Sequence, residues 1–130
     1  MSSVFTKIIN RELPGHFLYE DDVCIAILDV FPTCKGQSLV IPKEEVDYVF
    51  DLDDATYNHI FGVAKKISQA IDKALAPDRT CLVVEGTEVP HVHIKIYPIT
   101  GKRLQPFVEM GEQADPEELK VVATQIQAAL

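Results

Sequence analysis

Nowhere in the 130-residue sequence does an apolar run approach the roughly 20 residues needed to cross a bilayer, so no membrane partner is expected. The opening MSSVFTKIINRE lacks a charged stretch followed by an apolar segment and a small-residue cleavage site. Nothing in it directs the chain to secretion, and the cytoplasm is the expected compartment. Basic residues are scarce: 12 Lys and Arg stand against 20 Asp and Glu, a net charge of −8. Non-specific affinity for nucleic-acid backbones rests mainly on Lys and Arg, so DNA and RNA are poor candidates as partners. A small phosphorylated ligand stays open, because a few local donors act against a distant field that salt screens within about 8 Å. The three cysteines, Cys24, Cys34 and Cys81, are odd in number and far apart, with no C-x-x-C pair. Cys24 and Cys81 sit in apolar runs and read as small hydrophobes.

There is also no internal repeat, low-complexity tract or long linker. What is present is a composition 47% hydrophobic and 25% charged, on a chain long enough to bury a core without disulfides, structural metal or cofactor. A single domain over 1–130 is expected, with a core over 1–112 and a C-terminal helix in 113–130. VFTKIINRELP spaces Val4, Phe5, Ile8 and Ile9 as a short helix ending before Pro14. HFLYE, VCIAIL and QSLVIP read as three strands of an antiparallel meander, separated by DD and by the breaker-rich DVFPTCKG. Ile60, Val63, Ala64, Ile67, Ala70, Ile71, Ala74 and Leu75 recur at spacings of three and four, which predicts a long helix capped by Asp51, Asp53 and Asp54 and ended by Pro77. RTCLVVEG and HVHIKIYP follow as two more strands, and DPEELKVVATQIQAAL as a last helix with Asp115 as cap and Pro116 at its first position. The sum is an α+β fold, a five-stranded antiparallel sheet with helices on one face.

The stretch EVPHVHIKIYP carries the chemistry. In an extended strand His91, His93, Lys95 and Tyr97 share one face, and Val92, Ile94 and Ile96 the other. Side chains two apart stand roughly 7 Å apart at the backbone, close enough to converge on one phosphate-sized group. Three accounts compete. The strand is an ordinary half-exposed one that tolerates histidine; or H-x-H ligates a metal, which needs a third ligand where only isolated His16, His59 and scattered carboxylates and thiols are offered. The third account is nucleophilic catalysis, in which a neutral imidazole attacks phosphorus while its neighbours stabilise the developing charge.

HVHIKIY resembles the H-φ-H-φ-H-φ-φ signature of the histidine triad (HIT) superfamily of nucleotide hydrolases and transferases, with lysine at the third histidine position. The resemblance extends from Val4 to roughly Ile99 and includes an ED-x-x-x-x-A-x-x-D segment ending at Asp29 and the segment LVIPK. It implies a homodimer whose two sheets join into one, and a pocket for a purine mononucleotide or nucleotide conjugate. His93 matches the nucleophile that forms a nucleotidyl-histidine intermediate, and His91 the first triad position, which orients the nucleophile and contacts phosphate. Asp29 matches the carboxylate that accepts from the ribose hydroxyls. Phe5, Ile8, Ile27 and Leu39 match apolar positions around the base, ordinary core packing being the competing account of all four. Thr87 and Glu88 fall where the family's loop donates to phosphate.

Departures from the pattern bear on turnover. Lys95 stands at the third histidine, and Gln37 replaces a further histidine just before LVIPK. Lysine is a poor proton donor at neutral pH but a good phosphate partner, and a cation beside His93 lowers that imidazole's pKa. Many bacterial relatives build a zinc site from C-x-F-C and a histidine after IPK; here those positions read Ser3, Thr6 and Glu45, so no metal is expected. The expected function is a slow nucleotidyl hydrolase or phosphoramidase acting through His93. The alternatives are a nucleotide-binding or sensor module that has lost turnover, and a structural dimer without ligand.

Overall fold

The computed structural model describes residues 2–101 and 111–130; residues 102–110, which fall inside the expected 1–112 core, lie outside the described residues. The chain opens with helix α1 (Val4–Ile9), capped by Ser3, whose hydroxyl accepts from the Thr6 amide at 3.0 Å. Strands β1 (Phe17–Glu20), β2 (Cys24–Leu28) and β3 (Ser38–Pro42) follow. After one 3-10 turn, Val49–Asp51, comes α2 (Asp54–Leu75), then β4 (Arg79–Val83), β5 (Ile94–Ile99) and α3 (Pro116–Ala129). The five strands form one antiparallel sheet in the order β1-β2-β3-β5-β4. The meander is therefore as the sequence predicts, and β5 slots between β3 and the edge strand β4.

Alternation along the central strands divides the core. Cys24, Ala26, Leu28, Val40, Ile94 and Ile96 join one cluster with Ile60, Val63, Ala64, Ile67, Ala70 and Ile71 of α2 and Leu119, Val122, Ala123 and Ile126 of α3. Each fully buried isoleucine here contributes about 1.5–3 kcal/mol. The two long helices thus cover one face. The intervening residues Ile25, Ile27, Leu39 and Ile41 form a second cluster with Phe5, so the short α1 lies against the opposite face.

Two local readings change. Of the three expected caps only Asp53 acts, accepting from the Thr56 amide at 2.7 Å; Asp51 belongs to the 3-10 turn and Asp54 to the helix itself. Strand β5 begins at Ile94, not at His91. The amide of His91 donates to Val89 at 2.8 Å within its own loop and that of Val92 to Val46, in the loop before α2, at 2.8 Å, so neither joins a strand ladder.

Candidate active site

Register places the site. Ile27 opposes Leu39, and Leu39 opposes Lys95, so these three side chains stand side by side on the α1 face of β2, β3 and β5. A cavity of about 470 Å³ opens there, lined by Phe5, Ile8, Ile27, Asp29, Gln37, Leu39, Thr87, His93 and Lys95, together with Glu85 and Glu88. A larger cavity of about 690 Å³ lies between the β2–β3 connection and α3; it shares Asp29 and Gln37 but includes no histidine. Nine of the ten residues expected at the site therefore converge.

His91 is the exception. Its ring is wholly buried and does not line the cavity, so the direct phosphate contact implied for it is not offered by this arrangement. It bonds the Pro42 carbonyl through Nε2 at 2.8 Å and the Ser3 hydroxyl through Nδ1 at 2.6 Å. A carbonyl only accepts, so Nε2 carries the proton and Nδ1 receives the hydroxyl's. The network continues outward. Glu45 Oε1 accepts from the Ser3 amide at 2.8 Å and from the Thr6 hydroxyl at 2.6 Å. Burial lowers the His91 pKa below 6.5 and keeps the ring neutral.

What His91 presents to its neighbour is its backbone. Its carbonyl accepts from His93 Nδ1 at 2.8 Å, which leaves Nε2 as the basic nitrogen of His93. Burial, and less strongly the Lys95 charge, lower the His93 pKa below 6.5, so the imidazole is neutral at physiological pH. Phe5 packs edge-on at 4.8 Å between ring centroids and fixes the ring plane. A tautomer-defined imidazole at the wall of a cavity is equipped to act as a nucleophile.

At the other end Asp29 is held rigidly. One carboxylate oxygen accepts from the Phe31 amide at 2.8 Å and the other from Gln37 Nε2 at 2.8 Å. Gln37, itself buried, accepts through Oε1 from the Thr33 amide at 2.8 Å and hydroxyl at 3.0 Å. Near His93, Lys95 Nζ donates to Glu85 Oε1 at 2.6 Å, with side chains only 16% and 17% exposed. Burial is the strongest single influence and works against the lysine's charge, but the Glu85 hydrogen bond and the charges of Tyr97, Glu85 and Asp29 together outweigh it and raise the pKa.

Sequence reasoning missed two things here. It named Ser3, Thr6 and Glu45 as absent zinc ligands without foreseeing that they would hold His91, and it passed over Glu85. A carboxylate ten residues before a lysine, across the turn between paired strands, was the available signal. The zinc reading itself fails on donor chemistry. Two hydroxyls, one carboxylate and an imidazole whose Nδ1 already accepts a hydrogen bond from Ser3 include no thiolate and do not fit the ion.

Among the described residues one other group, Asp21, Cys24 and His59, has ligand atoms within 4.8 Å of one another. Its donors are occupied. Asp21 accepts from the amides of Val23 and Cys24 at 2.8 and 2.9 Å, and it bonds the Tyr19 hydroxyl and His59 Nε2 at 2.7 Å each. Burial pushes the Cys24 thiol up to about 12. The group is the polar clasp of the β1–β2 turn.

Comparison with known proteins agrees with this geometry. A HIT domain matches residues 10–101. The adenosine 5′-monophosphoramidase hnt1 of Schizosaccharomyces pombe is 30% identical over an alignment of 136 positions, covering 100% of this chain and 99% of that protein. The adenylylsulfatase HINT3 of Arabidopsis thaliana is 38% identical over 100 residues, covering 73% of this chain and 51% of that one. Among solved structures, a Hit-like protein involved in cell-cycle regulation from Bartonella henselae superposes with a TM-score of 0.88 at 30% identity, covering 99% of this chain and 96% of the other. With the sheet order, the histidine pair and these matches pointing the same way, the chain belongs to the HIT family.

Proposed function

We propose that the protein binds a purine nucleotide conjugate in the 470 Å³ cavity and transfers its nucleotidyl group through His93. One observation carries this reading: His93 Nδ1 donates to the His91 carbonyl at 2.8 Å, which commits the lone pair of Nε2 to the cavity's chemistry. The phosphoramidase that aligns over the whole chain supports it. The base lies among Phe5, Ile8, Ile27 and Leu39, and the ribose hydroxyls donate to Asp29, which Gln37 and the Phe31 amide hold in place. Nε2 attacks the α-phosphorus, a P–N bond to His93 forms and the bond to the leaving group breaks. Water then attacks phosphorus, the P–N bond breaks, and mononucleotide and free His93 result. Lys95, read as the third triad position, supplies charge to the phosphate oxygens as they become more negative.

A panel of aminoacyl- and dinucleotide-type substrates tests this. A nucleotidyl adduct on His93, seen by mass spectrometry and absent in His93→Asn while mononucleotide affinity is kept, is the expected result. Mononucleotide binding without adduct or turnover would replace the enzyme by a binding module, a reading favoured by the tight Lys95–Glu85 pair. Of the two edge strands, β1 and β4, the latter carries Leu82 at 43% exposure and offers an edge on which a second copy could continue the sheet. Light scattering should give twice the 14.5 kDa chain mass; a monomer at micromolar concentration would contradict it.

A further inference from the structure

We propose that Glu85 is the proton donor for the leaving group, taking the part that Lys95 at its position cannot play. The inference rests on the His93 reading above. Glu85 lines the same cavity as His93, and its carboxylate lies 2.6 Å from Lys95 Nζ. Gly86 follows at φ 72°, a left-handed turn that a residue with a Cβ adopts only under strain.

Lys95 Nζ donates to Glu85 Oε1, and the two charges neutralise each other. A bound phosphate competes for the lysine, and as Lys95 swings its charge toward the phosphate oxygens, Glu85 loses its partner beside a new anion. Glu85 takes up a proton from solvent as it turns to the leaving group. Lys95 does not serve, because the phosphate oxygens to which it has turned hold it as a cation. The protonated Glu85 then gives its proton to the departing nitrogen or oxygen as the phosphorus–leaving-group bond breaks and His93 Nε2 bonds to phosphorus. In the second half, the Glu85 carboxylate takes a proton from the water that attacks the phosphorus of the adduct. Acid and histidine are thereby regenerated, and the overall change is conjugate plus water to mononucleotide plus leaving group.

The site so described selects conjugates whose leaving group needs protonation, such as amines, over those that leave as stable anions. The test compares an alkylamine phosphoramidate of AMP with the nitrophenyl ester of AMP, in the full chain and in Glu85→Gln. In single-turnover measurements of His93 adduct formation, which leave out the hydrolysis step common to both substrates, the amine-to-nitrophenolate rate ratio should fall about 10²-fold, the lower end of what a positioned acid contributes. The alkaline limb of the amine pH–rate profile should vanish, and AMP should bind several-fold more tightly by calorimetry, since no carboxylate then competes for Lys95. Glu85→Ala must give the same ratio, and Glu85→Asp must restore part of it. A merely structural Glu85 lowers both rates together; an unchanged ratio in a protein that turns over and forms the His93 adduct overturns the inference alone. No adduct in the unaltered protein defeats the His93 reading and this inference with it.

Discussion

Replacing Ser3 isolates the contact that holds the buried His91. The hydroxyl serves two groups at once: it accepts from the Thr6 amide at 3.0 Å as the cap of α1, and it donates to His91 Nδ1 at 2.6 Å. Alanine at a cap costs about 0.5–2 kcal/mol, whereas glycine costs only a few tenths. A buried acceptor that loses its donor costs about 1–3 kcal/mol. Ser3→Gly therefore measures the histidine contact almost alone, and should lose about 1–3 kcal/mol, with Ser3→Ala losing about 1.5–5 because both functions go. Urea unfolding at neutral pH reads both, with the denaturant slope unchanged if the native state keeps its compactness. A loss below about 0.5 kcal/mol for Ser3→Gly, the scale of an ordinary surface change, would show that the hydroxyl does not hold His91 and that its tautomer is set by Pro42 alone.

Two further outcomes follow from the same geometry. Both His91 and His93 have folded-state pKa values depressed below 6.5, so their contribution to stability is complete above that value and is lost as pH falls through it toward the folded values. The loss runs at up to about 1.4 kcal/mol per pH unit for each histidine, and thermal melts over this range should show a shallower slope in His91→Asn; an unchanged slope would contradict the buried, neutral ring. Lys95→Ala should slow amine and nitrophenolate leaving groups alike by about 10²–10³, because a cation facing the phosphate is removed. Lys95→His placed in the Glu85→Gln background should recover the amine rate by up to about 10²-fold, and no recovery in stopped assays would deny proton delivery from this corner of the site.

Much of the fold was local in origin and so legible without coordinates. The spacing of Ile60, Val63, Ala64, Ile67, Ala70 and Ile71 defines one helical stripe, and those six residues are the ones α2 buries. Asp115 and Pro116 mark the start of α3 by cap chemistry alone, and the meander strands announce themselves by composition and breakers. The motif and its family resemblance mark His93, Lys95, Asp29 and Phe5 as one site from the sequence. The rest depended on long-range partners. Whether the segment at His91 continues a strand was decided by Val46, 46 residues earlier, whose carbonyl captures the Val92 amide. Ser3 and Glu45 meet His91 from separate parts of the chain, and Lys95 meets Glu85 only because β5 folds back beside β4. Periodicity records which face a residue occupies, because that is set by the backbone's own geometry; which polar group faces it across the fold is set by packing and register, and only the tertiary structure supplies those.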